Sequence, residues 1–266
     1  MSVGRKATCA IVVLLAAAVP LTPAHALSCR FSVDNLNFGT IDVLDGSTPT
    51  VGGAVTIRCR NGSPNGWVTI CPNIGSGEGN PSAYDPRQMR KWGNFSLKLN
   101  FNLFDPATNA IWGSLWWPYP PPPPILHLQL NANGRGNMSK PIEAKVFAGQ
   151  YTVRPGTYYT WFRYQHVLFE YKAGWHANCT PNDGTRKPRF RVRARVRRSC
   201  QVSATGIDFG ATGNLNAPLT ATGTLTVRCT NTTAHRIKLD GGLAGASQPD
   251  QRKMFKGTDT ITYGIY

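Results

Sequence analysis

The sequence predicts an all-β protein that is built from two related domains in tandem. Twenty prolines and 27 glycines interrupt a chain with abundant Thr, Val, Tyr and Asn and hardly any long run of helix-forming residues. This composition is typical of short strands joined by turns. A long internal repeat indicates the two domains, and an even number of cysteines in the exported part of the chain indicates disulfides.

Residues 1–26 have the pattern of a signal peptide. Arg5 and Lys6 precede an apolar run over residues 10–19, and Ala24 and Ala26 form a small-x-small cleavage site. The mature chain should begin near Leu27 and be exported. No later stretch approaches the ~20 apolar residues of a transmembrane helix.

The formal charge of +16 becomes +14 when Arg5 and Lys6 are removed with the signal peptide. Such a surface attracts nucleic acids, anionic envelope polymers or acidic proteins. The charge alone does not choose among these partners.

Removal of Cys9 with the signal peptide leaves six cysteines. Because an exported chain meets an oxidising compartment, these residues should form disulfides rather than remain thiols or bind a metal. The six residues are Cys29, Cys59, Cys71, Cys179, Cys200 and Cys229.

The internal repeat aligns residues 29–61 with residues 200–231. Each copy contains a cysteine, an alternating strand, an aromatic-glycine pair, a polar turn, a second strand, then cysteine. Cys200 and Cys229, alone in the second copy, pair with each other or stay free. By homology within the chain, Cys29 pairs with Cys59.

Cys71 is then left to pair with Cys179. This bond would close a loop of more than 100 residues, and it would constrain the unfolded chain by roughly 4 to 5 kcal/mol on the loop-entropy model.

These features resemble the spore coat protein U domain of archaic chaperone-usher pilus subunits. The resemblance rests on the Ser-Cys start, the Phe-Gly pair, the strand closing on Cys and Asn, the segments Arg252-Lys253-Met254 and Tyr263-Gly264-Ile265-Tyr266, and the motifs Ala148-Gly149-Gln150 and Pro155-Gly156-Thr157-Tyr158. It covers nearly the whole mature chain, and two-domain members resemble tip adhesins.

The resemblance implies immunoglobulin-like β-sandwich domains, with an adhesive domain at 27–198 and a pilin domain at 199–266. A sandwich that lacks one strand would receive it from a periplasmic pilus chaperone, and later from a neighbouring pilin, with an outer-membrane usher assembling the fibre. Such strand addition relies on main-chain hydrogen bonds and side-chain pockets.

Two expectations concern the ends of the mature chain. Only Leu27 and Ser28 precede Cys29, which leaves no donor segment and predicts a position at the fibre tip. The second copy stops after Tyr266, so we expect 199–266 to be a truncated fragment of a longer domain that would not fold stably alone.

The most unusual segment contains three tryptophans within six residues, followed by a polyproline run. Polyproline favours an extended, stiff loop, and exposed aromatic side chains are typical of interaction surfaces. We expect Trp112 to lie in the core; Trp116 and Trp117 either cover an open core edge or bind a surface. The predicted adhesive loop comprises Leu115, Trp116, Trp117, Tyr119 and Ile125.

Within the stretch 186–198, arginines and apolar residues alternate strictly from 189 to 197, which predicts a strand with one buried face. Its arginine face is either the solvated outer face of the last strand of the first domain, which we favour, or a basic stripe for nucleic acid or acidic polysaccharide. Because sites for nucleic acid interleave aromatic side chains and this stripe has none, we expect no nucleic-acid partner.

Catalytic and metal-binding motifs are nearly absent. No acid, base and nucleophile form a recognisable set, so the chain is predicted not to be an enzyme and to need no cofactor. His176 and Cys179 have zinc-like spacing, but no second pair accompanies them, and no metal is expected.

Three functions are compatible with these features. The first is a pilus tip adhesin that mediates surface attachment and biofilm formation. The second is a structural spore coat or envelope protein that assembles without an usher. The third is a secreted carbohydrate-active enzyme or lectin that uses the tryptophan loop.

Overall fold

The computed structural model describes residue 1 and residues 26–116, 121–178 and 182–266. The predicted signal peptide therefore lies almost wholly outside the described residues. Helix is limited, in the described part, to a short 3-10 turn at Tyr164–His166, and no helix there has the length and apolarity to cross a membrane. The all-β prediction is confirmed.

The strands, in chain order, are β1 (Ser28–Val33), β2 (Leu36–Ile41), β3 (Thr50–Arg60), β4 (Trp67–Ile74), β5 (Arg87–Lys91), β6 (Asn94–Asp105), β7 (Ala110–Ile111), β8 (Leu126–Gln129), β9 (Gly136–Val146), β10 (Gly156–Phe162), β11 (Val167–Ala173), β12 (Gly184–Arg186), β13 (Phe190–Val196), β14 (Cys200–Ala204), β15 (Leu225–Cys229), β16 (Arg252–Lys256) and β17 (Asp259–Tyr263).

Two sheets form the N-terminal region. The larger has the order β1-β3-β9-β6-β5-β10-β13-β2, with β7 beside β6, and the smaller has the order β12-β11-β4-β8. Apolar side chains from both sheets form one core, in which Phe31 of β1 lies 5.3 Å, centroid to centroid, from Phe169 of β11. This arrangement is an immunoglobulin-like sandwich.

β1 and β2 follow each other in the chain but lie at opposite ends of the order of the larger sheet. Only Asp34 and Asn35 separate β1 from β2, so the sheet must curve until its edges approach. Gly53 permits this approach, because a Cβ atom there would lie 2.6 Å from Cδ2 of Leu36. β2 then pairs in parallel with β13.

Tyr158 on β10 fastens the strand to the loop before it. The side chain is buried, and its hydroxyl donates a 2.8 Å hydrogen bond to the carbonyl oxygen of Arg154, four residues upstream. This geometry is the tyrosine corner of immunoglobulin-like sandwiches. Burial raises the pKa of Tyr158 to about 12.

Arg87 is fully buried and joins three segments of the sandwich. Its guanidinium donates to the carbonyl oxygens of Ile74, Gly75 and Trp112 and to Oδ1 of Asn102. Desolvation lowers the pKa of Arg87. A buried arginine needs this full set of acceptors because an uncompensated charge inside a protein is costly.

The internal repeat correctly indicates two disulfides. Cys29 and Cys59 are register partners on β1 and β3, and Cys200 and Cys229 hold the same relation on β14 and β15. Cys71 is disulfide-bonded as well. Its predicted partner, Cys179, lies outside the described residues.

In the C-terminal region, residues 199–266, the described strands form two separate hairpins, β14-β15 and β16-β17. Apolar side chains that are buried in the first copy of the repeat are exposed in the second. Ile207 is 40% exposed and Leu225 41% exposed, whereas their counterparts Leu36 and Val55 are both 0% exposed. The second copy therefore has the apolar pattern of a sandwich without a second layer over it.

Candidate functional site: an exposed tryptophan loop and its anchor

The tryptophan loop begins at a core residue. Trp112 is fully buried, and its indole nitrogen donates a 2.8 Å hydrogen bond to the carbonyl oxygen of Pro72 on β4. Trp112 therefore belongs to the core, as predicted. It attaches the start of the loop to the smaller sheet.

Beyond Trp112 the side chains turn outward. Leu115, Trp116 and Ile125 are 52%, 55% and 39% exposed. Trp117 and Tyr119, the other residues of the predicted adhesive loop, lie outside the described residues. The described members of the loop thus present a surface of large apolar side chains.

A buried carboxylate holds this loop against the outer face of the smaller sheet. Glu170 on β11 is 1% exposed. Its Oε2 accepts hydrogen bonds from Nε1 of Trp116 at 2.7 Å and from Nδ2 of Asn73 at 3.1 Å, while Oε1 accepts one from Nδ2 of Asn182 at 2.6 Å. Three neutral donors therefore satisfy the carboxylate and set the orientation of the Trp116 indole.

The backbone of the loop is fixed by two further contacts. Oδ1 of Asn73 accepts a 2.8 Å bond from the amide of Leu115, and the amide of Ser114 donates to the carbonyl oxygen of Pro121 at 3.0 Å. Gly113 allows the second contact, because a Cβ atom there would lie 1.6 Å from that Pro121 oxygen. The base of the loop thus lies along the sheet and closes on itself.

A second aromatic cluster lies farther along the same face of the sheet. Trp175, which is 60% exposed, stacks on His127 at 3.7 Å between ring centroids and meets Trp67 edge-on at 4.8 Å. Thr69 anchors this cluster, since its hydroxyl donates to the carbonyl oxygen of Gly174.

The two aromatic groups share one face because their anchors, Thr69 and Asn73, are four residues apart on β4 and therefore point to the same side of the strand. Four residues of strand separate these anchors by about 13 Å. The outer face of the smaller sheet therefore carries two exposed tryptophans, Trp116 and Trp175, at its two ends.

The described residues offer one candidate group of metal ligands, Cys200, Cys229 and His235. Both cysteines are consumed by their disulfide, so they have no thiolate to offer. His176, which has zinc-like spacing from Cys179 in the sequence, forms a hydrogen bond between its Nε2 and the carbonyl oxygen of Ala173.

Glu170, Asn73 and Trp175 are not among the site residues that the sequence predicts. Glu170 and Asn73 lie in strands with no motif, and their role depends on the pairing of β11 with β4, which places Glu170 opposite Cys71. A signal was available in the strand pattern, because Glu170 interrupts an otherwise apolar and aromatic run.

Comparison with protein families assigns the chain to a class. The family model of the Spore Coat Protein U domain matches residues 15–160 and again residues 188–266. The chain therefore belongs to the spore coat protein U domain family. Comparison with curated protein sequences found no match.

Comparison with solved structures found further matches. One is the CsuC-CsuE chaperone and tip adhesion subunit pre-assembly complex from archaic chaperone-usher Csu pili of Acinetobacter baumannii, at 14% identity over 88% of this chain and 79% of that chain, with a TM-score of 0.46. Another is AggA, the major subunit of the aggregative adherence fimbriae type I of Escherichia coli, at 12% identity over 65% of this chain and 95% of that chain, with a TM-score of 0.24.

Proposed function

We propose that this protein is the adhesive tip subunit of a chaperone-usher pilus and mediates surface attachment and biofilm formation. The observation that carries the proposal is the exposed Trp116 loop, held in place by the buried Glu170. A rigidly presented tryptophan supplies a large contact area at little cost in conformational entropy.

The division of labour between the two regions supports a tip position. In the N-terminal region, 27–198, the chain itself supplies β13, which lies between β10 and β2 in the larger sheet. This region therefore fills that position with its own strand, which supports its role as the adhesive domain.

The C-terminal region, 199–266, supports a role as the pilin domain. Its exposed apolar side chains, among them Val202 at 65% and Phe255 at 59% exposure, offer an apolar surface of the kind that a donated strand contacts. We propose that a periplasmic chaperone covers this surface before export and a neighbouring pilin afterwards, by strand donation at an outer-membrane usher.

Adhesion by intact pili tests the loop. Trp116→Ala should reduce attachment to an uncharged apolar surface such as polystyrene, because truncation of a central aromatic contact costs about 2 kcal/mol or more. Trp92→Ala is the matched control, since Trp92 is 69% exposed but lies in the turn between β5 and β6 of the larger sheet. Pilus abundance must be measured alongside.

The proposal for the loop fails if Trp116→Ala and Trp92→Ala pili are equally abundant and attach equally well. A separate test addresses assembly. Leu225→Ser should reduce recovery of the chain with its chaperone, whereas Leu115→Ser, which changes an exposed leucine in the N-terminal region, should not.

Carbohydrate binding is the second candidate function, and the Trp175-His127 stack favours it. An exposed tryptophan held by a flat stacked partner is suited to contact the apolar face of a sugar ring. Loss of saccharide binding in Trp175→Ala pili, with adhesion to polystyrene retained, would distinguish this function from loop adhesion.

A further inference from the structure

The arginines of β13 face outward beside aromatic residues from neighbouring strands. Arg193 is the register partner of Tyr159 on β10, and Tyr159 is in turn the partner of Arg90 on β5. Arg191 is likewise opposite Trp161. The arginine face of β13 itself contains no aromatic residue, whereas its pairing with β10 brings aromatic rings beside it.

Two of these guanidinium groups lie over aromatic rings. Arg191 is 5.2 Å from the centroid of Trp161, and Arg90 is 4.4 Å from that of Phe95 and 5.4 Å from that of Tyr159. Stacking of this kind holds the planar guanidinium and leaves its N–H edges free to donate. The aromatic residues therefore present Arg191 and Arg90 in defined orientations.

The charge of this face is largely uncompensated. Among the described residues, Arg163 pairs with Glu78 and Arg197 with Asp42, but no salt bridge involves Arg191, Arg193 or Arg195. The outward positions of β13 recur about every 6.6 Å, so the face offers a regular row of cations.

An open groove continues this row at the end of β13. Arg195, Arg197 and Arg198 line the groove together with Thr40 and Gly156. The side chain of Lys91 lies against Gly156, whose added Cβ would be 2.7 Å from Cε of that lysine. Cationic side chains therefore continue beyond the stacked arginines to the edge of the sandwich.

We propose that this face, comprising Arg90, Tyr159, Trp161, Arg191, Arg193 and Arg195 and here named the basic-aromatic face, binds an acidic polysaccharide. Arginine forks match carboxylate and sulfate oxygens, and a row of forks suits an extended polymer with repeated charges. A nucleic acid is the less favourable partner, because guanidinium groups already cover Trp161 and Tyr159, and bases would need those ring faces for stacking.

This surface is separate from the proposed adhesive loop. The basic-aromatic face lies on the larger sheet, whereas Trp116 and Glu170 lie on the outer face of the smaller sheet. Its binding to polysaccharide can therefore be tested independently of adhesion through the loop.

The test uses the purified full chain and three immobilised probes: polygalacturonate, neutral dextran and single-stranded oligodeoxythymidine. Arg193→Gln with Arg195→Gln should weaken binding to polygalacturonate about tenfold or more, because two charge-assisted contacts are lost. The matched control is Arg58→Gln with Arg60→Gln, which removes the same charge from exposed positions on β3.

The expected result is a selective loss in the β13 variant, little change in the β3 control, no binding to dextran, and weaker binding as salt is raised. All four residues are exposed, so equal melting temperatures should confirm that both variants are folded. Equal losses of polygalacturonate binding in the two variants would show that net charge alone explains the effect, and would overturn the proposal. Tighter binding to oligodeoxythymidine than to polygalacturonate would overturn the choice of polysaccharide.

Discussion

Glu170→Leu should release the tryptophan loop while leaving the sandwich folded. The leucine fills a similar volume but accepts no hydrogen bond, so the donors on Trp116, Asn73 and Asn182 lose their acceptor. A hydrogen bond to a charged group contributes about 1.5 to 3 kcal/mol. Because Trp116 and Asn182 can turn to water and only Asn73 is fully buried, we expect a loss of about 3 kcal/mol rather than the sum of three bonds.

Glu170→Gln is the matched variant. Its amide retains one oxygen for Trp116 and Asn73, and the side-chain amide of Asn182 can rotate to present its own oxygen to the new NH2 group. The change should therefore cost about 1 kcal/mol or less. Comparing the two variants separates the need for an acceptor from the need for a charge.

Hydrogen exchange and chemical denaturation together measure the effect. Glu170→Leu should increase amide exchange at Leu115 and Trp116 far more than at Phe169, and should lower adhesion of the pili. Protection of the loop that is unchanged in Glu170→Leu would refute the anchoring role. So would an equal loss of protection across the whole sandwich, because it would show general destabilisation instead.

Three further outcomes are expected. Arg87→Met should lower the free energy of unfolding by about 3 to 5 kcal/mol, since four buried acceptors each lose a hydrogen bond from the guanidinium, while the exposed Arg58→Met should change little in the same denaturation experiment. Tyr158→Phe should lower the free energy of unfolding by about 1 kcal/mol. Because the folded pKa of Tyr158 is raised to about 12, its contribution to stability is present below the ordinary tyrosine pKa near 10 and is lost as pH rises towards 12. A Tyr158→Phe chain should lack this alkaline transition. Asp42 of the N-terminal region accepts a hydrogen bond from the hydroxyl of Ser199 in the C-terminal region. Burial raises the pKa of Asp42, but hydrogen bonds from Ser199, Leu44 and Arg197 outweigh burial and leave the pKa lowered. The contact should therefore be intact above about pH 4 and weaken as pH falls through the lowered pKa, which increased proteolysis near residue 198 would detect.

The sequence was sufficient for features that depend on local pattern or on the repeat. The alternation in β13 identified its buried residues, because side chains of a strand point to alternate faces whatever its partners. The repeat, in which Cys59 follows Cys29 by 30 residues and Cys229 follows Cys200 by 29, identified these two disulfides. Trp112 was likewise recognised as a core residue within its loop.

Features that depend on which strands are neighbours required the tertiary structure. Glu170 and Trp116 are 54 residues apart in the chain, and no local pattern links them. They meet only because β11 pairs with β4. The same reason explains the basic-aromatic face. The arginines of β13 were evident in the sequence, but only the register of β13, β10 and β5 places Trp161 and Tyr159 against them. Periodicity determines which face of a strand a residue occupies, whereas the partner across that face is decided by long-range packing of the whole sandwich.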